Sequence, residues 1–318
     1  MDIKRVLVTG ASGFVGRPLV DGLLRAGYAV RAVTRRAVAF PPTVDAQIIP
    51  DLKDPIDWAP FLQGVNVVIH VAGLAHGHAA NERYSEFDQI NWFGTQQLAQ
   101  AAKTAGVERL VYISSVRAQV GASAEHPVRE TDEPQPTNYY GRSKLAAETA
   151  VAASGVPFTI FRPVVIYGPN AKGNMRSLLR LARSSLPLPA ASFTNRRSVL
   201  GIDNLISAII FALKNPATIG ETYLIADPVP VTVGEILSIL RVARGRSLTT
   251  LRLPLGLVRM LLVLAGRGDL WSRIAGDLIV DTGKLEALGW RPVKDTAQGL
   301  AAMLNDEVAR APMMRQVL

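Results

Sequence analysis

The sequence predicts an α/β fold, a doubly wound parallel sheet with a smaller, mostly helical C-terminal lobe. Three observations predict it. From Val6 to Pro169, short apolar runs alternate with stretches of helical periodicity, the order of successive βα units. Runs such as Val67-Val68-Ile69 are continuous rather than alternating, as strands buried on both faces of a parallel sheet must be. Beyond Asn170 the periodicity weakens, except where 199–226 returns to a strand–helix–strand pattern. The division that follows is a sheet domain over 1–169 joined by 199–226, and a lobe over 170–198 and 227–318.

Taken in order, Val6-Leu7-Val8-Thr9 reads as a strand running into Gly10-Ala11-Ser12-Gly13-Phe14-Val15-Gly16, with a helix from Phe14 to Leu24. Strand, glycine turn, helix is the arrangement that receives a dinucleotide pyrophosphate, because backbone and a helix N-terminus must come close to it. The fold is thus expected to be Rossmann-type, although the Gly-x-x-Gly-x-x-Gly spacing departs from the commoner Gly-x-Gly-x-x-Gly. A second strand, Tyr28 to Thr34, ends in Arg35-Arg36, where an acid would hold the adenosine ribose. Paired guanidiniums suit a 2′-phosphate and so favour NADP(H), with NAD not excluded; the plainer reading has one or both facing solvent. Gln47 to Leu52 is expected as a third strand whose Asp51 accepts from the adenine amino group or caps the next turn.

Asn66 to Gly73 is the fourth strand, and Val71-Ala72-Gly73 allows close backbone approach to a cofactor. His70, His76 and His78 lack the further ligands of a metal site, so no metal is expected. Phe87 to Ala105 reads as one helix, in which Asn91 faces solvent or bonds locally. Arg109 to Ser115 is a strand tipped by two hydroxyls, at the sheet end where ligands bind. After a loop over 125–138, a helix opens on Tyr139-Tyr140-Gly141-Arg142-Ser143-Lys144, and Tyr140 and Lys144 share a helical face. Phe158 to Ile166 is a sixth strand.

Composition narrows the class. The 318 residues are 48% hydrophobic and 19% charged, which suits a compact core. The net charge of +9 fits an anionic ligand, and without basic runs interleaved with aromatics nucleic acid is not expected. There is no cysteine, so disulfide and thiol chemistry are excluded. Met1-Asp2-Ile3-Lys4 leads straight into the first strand, and a cytoplasmic protein without a signal peptide is expected. Leu251 to Leu264 is the most apolar late stretch, but Arg252, Pro254, Gly256 and Arg259 interrupt it. It is too short to span a bilayer and reads as a core or lid helix, with a membrane-surface helix as the alternative.

The chemistry centres on Tyr140. A phenol titrates near ~10, and a nearby ammonium and an oxidised nicotinamide are both expected to lower that value. Tyr140 would then take a proton from an alcohol as hydride leaves, or donate one to a carbonyl, with Ser115 orienting the same oxygen.

These motifs together resemble the extended short-chain dehydrogenases/reductases of the NAD-dependent epimerase/dehydratase kind. Thr9 to Gly16 is similar to that family's cofactor turn and Tyr140-Gly141-Arg142-Ser143-Lys144 to its catalytic motif, while Asp51-Leu52, the strand Val68 to Gly73, Asn91 and Leu288 to Pro292 fall at the expected stations. The resemblance implies a catalytic triad of Ser115, Tyr140 and Lys144, with Lys144 also on the nicotinamide ribose. It implies cofactor contacts from Gly10, Ser12, Gly13, Phe14, Val15, Gly16, Arg35, Asp51, Leu52, Val71, Ala72, Gly73 and Pro163. It further implies substrate contacts from Arg162, Asn174 and Arg197. The implied substrate is a UDP-linked sugar worked on at C4 by a 4-epimerase or a 4-ketoreductase, in a homodimer built through helices such as those at 87–105 and 140–153. Two alternatives stand beside it: a dehydrogenase of a lipophilic, steroid-like alcohol, against which the arginines at 196 and 197 speak, and a non-catalytic NADP(H) sensor, against which the retained Tyr140 and Lys144 speak.

Overall fold

The structure is a computed structural model that describes residues 4–75, 84–171, 173–184, 189–246, 251–264, 266, 271 and 276–304. Strand β1 (Arg5–Thr9) enters the glycine turn and α1 (Gly16–Arg25) leaves it. Next come β2 (Ala29–Thr34), β3 (Asp45–Ile48), α2 (Ala59–Leu62), β4 (Val67–His70) and α3 (Tyr84–Phe87). A π-helical turn (Asp88–Phe93) joins α3 to α4 (Gly94–Thr104), followed by β5 (Arg109–Ile113), α5 (Val116–Gln119), α6 (Tyr139–Ala153) and β6 (Phe158–Pro163). The remainder runs through β7 (Val165–Tyr167), α7 (Gly173–Arg183), β8 (Val199–Gly201), α8 (Ile202–Lys214), β9 (Glu221–Ile225), α9 (Val233–Val242) and α10 (Leu255–Leu264).

Seven strands form one sheet in the order β3-β2-β1-β4-β5-β6-β9, every neighbouring pair parallel. The order turns about between β1 and β4, so the crevice beyond their C-terminal ends is where such a sheet takes a ligand. Alternate side chains enter two cores. Val6, Val8, Ile69, Val111 and Phe161 pack with Leu19 and Leu23 of α1 and Leu205 and Ile209 of α8. Leu7, Val68, Leu110 and Ile160 pack on the other face with Leu98 of α4 and Ala147 and Val151 of α6. Both faces are covered, which is why the strands read as unbroken apolar runs.

Three elements differ from expectation. The third strand spans Asp45–Ile48 rather than Gln47 to Leu52, because Arg31 of β2 bonds Asp45 at 2.7 Å and fixes the polar start of the strand. The sixth strand divides after Pro163, which offers no N–H to a ladder; the chain then leaves the main sheet and Val165–Tyr167 pairs with β8 in a separate two-stranded sheet. The helix expected over 87–105 contains the π-helical turn, whose consequence for Asn91 is described below.

A third apolar cluster, with Met175, Leu179, Ile236, Leu240, Leu300 and Met303, underlies the later part of the chain. It is tied to the sheet by a buried polar node. Asp227 accepts from the Tyr167 hydroxyl at 2.6 Å, from Asn204 at 2.7 Å and from the Gly201 N–H at 2.9 Å, while Asn204 also receives the N–H groups of Val293 and Lys294. Among the described residues no helix is long and apolar enough to cross a membrane.

Candidate active site

The glycine turn is shaped first by its own packing. Gly10 has φ +65°, and a Cβ there would stand 2.9 Å from the Ala72 backbone. A Cβ on Gly16 would strike the Gly10 carbonyl oxygen. Glycine is thus demanded at 10 and 16 by the close crossing of β1, the turn and the segment after β4. No side chain caps α1, and its first turn carries no acid, so its N-terminal N–H groups remain suited to an anion. Gly10, Ser12, Gly13, Phe14, Val15 and Gly16 fit a dinucleotide pyrophosphate on these grounds.

Behind the turn lies a directed polar relay through His70. Thr9 Oγ1 receives the N–H groups of Val71 and Ala72 at 3.2 Å each, so its own hydrogen goes to His70 Nδ1 at 2.7 Å. Thr95 Oγ1 donates to the Asn91 carbonyl at 2.6 Å and must therefore accept from His70 Nε2 at 2.9 Å. The imidazole is neutral with its proton on Nε2, an assignment that follows from the partners. Burial, with the Lys144 charge adding to it, pushes His70 down to about 3. The sign of the pH effect follows. Between about 6.5 and about 3 the unfolded chain binds a proton that the folded chain does not, so stability is lost as pH falls below 6.5. The expected loss at pH 5 is about 2 kcal/mol from this group. In urea unfolding at pH 7.5 and 5, His70→Gln should lose less on acidification than the parent; equal losses would refute the assignment.

Asn91 does not face solvent. The π-helical turn rotates it inward, where it is 1% exposed and clamps Leu74 through both backbone groups, at 2.7 Å and 3.0 Å, while also donating to Ser143 at 3.1 Å. It thereby fixes the segment Val71-Ala72-Gly73 against α6.

Tyr140 stands in the first turn of α6, which Asn138 caps by accepting the Gly141 N–H at 2.7 Å. Gly141 is required there, because a Cβ would strike the Arg117 carbonyl of α5. The Ser115 hydroxyl accepts the Arg117 N–H at 3.2 Å and stands beside the Tyr140 phenol, whose pKa it lowers. Ser114 instead donates to the Glu148 carboxylate, one turn beyond Lys144 on α6. Lys144 is 4% exposed, donates to the Ile113 carbonyl at 3.0 Å and sits 4.7 Å from the centre of the Tyr112 ring. Burial brings its ammonium down to about 8, against an upward pull from Glu148. In the protein by itself, burial raises the Tyr140 pKa, and the opposing influences are the neighbouring Ser115 hydroxyl and the Arg117 charge. Arg117 went unnoticed in the sequence, since nothing in its spacing distinguishes it from a surface arginine.

At the adenosine end, Arg35 and Asp51 pair with each other at 2.8 Å. Burial favours the neutral Asp51 carboxyl, but Arg35 and the Lys53 N–H outweigh it and hold the group below its ordinary range. Leu52 is buried beneath this pair, and a Cβ on Gly94 would come within 2.8 Å of its carbonyl oxygen. Arg36 is exposed.

The expected substrate residues fare differently. Arg162 is a correction: its guanidinium bonds both Glu148 oxygens, one at 2.5 Å, and Gln119, with 7% of the side chain exposed. Tyr140, Lys144 and Glu148 follow one another at four-residue steps along one side of α6, and the Arg162–Glu148 pair anchors that side one turn beyond Lys144. Arg197 donates to the Gly276 and Ala122 carbonyls at 2.8 Å each, and burial, with Arg117 adding to it, lowers its pKa to about 10. Its hydrogen-bond partners are carbonyls, and the Asp277 carboxylate nearby offsets part of the lowering. Arg196 is occupied by Pro230 and by Glu235 at 3.1 Å. The Asn174 side chain lies outside the described residues, as do His76 and His78. Pro163 closes β6 opposite Ile225, at the same sheet end as Ser115. Among the described residues no His, Asp and Glu cluster could hold a metal ion.

Comparisons agree with this geometry. The chain is 32% identical over 308 residues to a UDP-glucose 4-epimerase of Vibrio cholerae, covering 93% of each. It is 27% identical to an N-acetyl-alpha-D-glucosaminyl-diphospho-ditrans,octacis-undecaprenol 4-epimerase of Escherichia coli O157:H7, covering 78% of this chain and 75% of the relative. Among solved structures, MoeE5 in complex with UDP-glucuronic acid and NAD superposes with a TM-score of 0.76 at 26% identity, over 96% of this chain and 99% of that one. The fold is also that of the Bacillus cereus UDP-glucuronic acid 4-epimerase bound to NAD, with a TM-score of 0.76 at 22% identity and 96% of each chain covered. Residues 6–226 match the model of the NAD dependent epimerase/dehydratase family, and the chain belongs to that family.

Proposed function

We propose that this chain is a 4-epimerase of a UDP-linked sugar, acting through a bound nicotinamide dinucleotide. The observation that carries the reading is the Tyr140 phenol, which stands beside Ser115 one helical turn from buried Lys144, together with the uncapped start of α1 after the glycine turn. Gly10 to Gly16 would hold the pyrophosphate; Arg35, Asp51 and Leu52 the adenosine; Val71, Ala72, Gly73, Pro163, Tyr140 and Lys144 the nicotinamide riboside. When bound, the nicotinamide supplies a two-electron acceptor and donor. Tyr140 removes the proton from the sugar hydroxyl and later returns it to the carbonyl oxygen, and Ser115 keeps that oxygen in line. Lys144 supplies a buried positive charge that favours the phenolate once a second positive charge is present. The Arg197 charge faces the anionic part of the substrate. The segments 170–198 and 227–318 form the substrate lobe against the 1–169 and 199–226 domain, and the protein works in the cytoplasm as a homodimer through α4 and α6.

The names of the Vibrio cholerae relative and of the NAD-bound MoeE5 complex support the epimerase form. A 4-ketoreductase using NADPH is the second reading, favoured by Thr34-Arg35-Arg36 in place of an acid after β2. The two are separated by denaturing the purified protein and identifying what it releases. Stoichiometric NAD(H), with UDP-glucose and UDP-galactose interconverted without added reductant, is the expected result. Cofactor-free protein that consumes NADPH and forms no epimer would overturn it.

A further inference from the structure

Helix α10 has an apolar face that is exposed among the described residues. Val258 turns inward at 4% exposure, and the Leu253 N–H bonds Ser192 at 2.8 Å, which fastens the start of the helix to the lobe. Six apolar side chains in and just before the helix are exposed. Leu251, Leu255 and Leu257 are 45%, 46% and 39% exposed, and Met260, Val263 and Leu264 are 51%, 57% and 77% exposed. A stripe of this kind marks an interaction surface.

Charge identifies what fits it. Residues 1–170 carry 16 Lys and Arg against 15 Asp and Glu, whereas 171–318 carry 19 against 11. The excess lies in the half of the chain that carries α10. Residues 173–202 contain five arginines and no acid, and 228–264 contain five arginines with Glu235 as the one acid, already paired with Arg196. The ends of α7 and α9 are joined where Arg246 bonds the Arg183 carbonyl at 3.0 Å. Arg252 and Arg259, both exposed, lie in and beside the apolar stripe. A second copy of this chain would set those arginines against their own counterparts, since 251–264 has no carboxylate. An apolar face edged by guanidiniums is instead the pattern of a helix lying in a bilayer interface.

We infer that α10 docks this protein on the surface of an anionic lipid bilayer. The inference is independent of the substrate reading, because it concerns a face outside the Tyr140 site.

The test is cosedimentation of the full chain with phosphatidylcholine vesicles, with and without about 30% phosphatidylglycerol, at low and high salt. Binding to the anionic vesicles is expected, at least ~10-fold weaker on phosphatidylcholine alone and falling with salt. Met260→Glu with Val263→Glu, and separately Arg252→Glu with Arg259→Glu, should each lower it at least ~10-fold while leaving the near-ultraviolet dichroism and turnover of soluble UDP-sugar unchanged. Equal binding to both vesicles, or binding unaffected by either pair, would overturn the inference. So would a parent protein that ignores vesicles but doubles in mass with concentration, an assembly lost in Met260→Glu with Val263→Glu.

Discussion

Tyr140→Phe should lower kcat by two to four orders of magnitude, about the range that a positioned acid–base group contributes. The substitution removes one oxygen and leaves the scaffold in place. The ring keeps its packing 6.1 Å from Phe87, the Asn138 cap on Gly141 does not involve the side chain, and Lys144 keeps its Ile113 bond. The variant should therefore fold and retain its dinucleotide, which separates loss of proton transfer from loss of binding. Because burial raises the Tyr140 pKa, the residual pH dependence also carries information. In the parent, the limb that reports phenol ionisation should respond to Arg117→Met, which withdraws a charge that favours the phenolate; in Tyr140→Phe that limb should be absent. A Tyr140→Phe enzyme with undiminished turnover would refute the assigned role.

Arg162→Met should destabilise the fold by about 3–5 kcal/mol, the usual cost of leaving half of a buried ion pair behind. Glu148 would keep the Ser114 hydroxyl and the more distant Lys144 charge but lose its paired guanidinium, in a region where its own side chain is 6% exposed. The paired change Glu148→Gln with Arg162→Met should recover part of the loss, since an amide is far less costly to bury than a carboxylate and can still accept from Ser114. Urea denaturation gives the stability, and steady-state kinetics on the folded fraction should show KM little altered. The reverse outcome, unchanged stability with a large rise in KM, would return Arg162 to the substrate.

These two residues show how unevenly a sequence displays a site. Tyr140 and Lys144 are legible because the helix period alone puts them on one face, and Ser115 is legible because a parallel strand must end at the ligand edge. Arg162 lies near the end of an apolar strand much as Ser115 follows one, yet its guanidinium goes to Glu148, one turn beyond Lys144 on α6. Asn91 was misread for a different reason. One extra residue in the helical turn changes which side faces inward, and no periodicity of 3.6 contains that information.

What the sequence by itself determined was the order of βα units, the glycine turn, the shared helical face of Tyr140 and Lys144 and the family to which the chain belongs. These depend on local rules, namely the period of apolar residues, the absence of Cβ at Gly10 and Gly16, and spacing along one helix. Only the tertiary structure decided which polar groups meet. The Thr9–His70–Thr95 relay, the Arg35–Asp51 pair, the burial of Arg162 and the exposed apolar face of α10 each depend on elements that are brought together by packing, and pairing across such distances leaves no period in the chain.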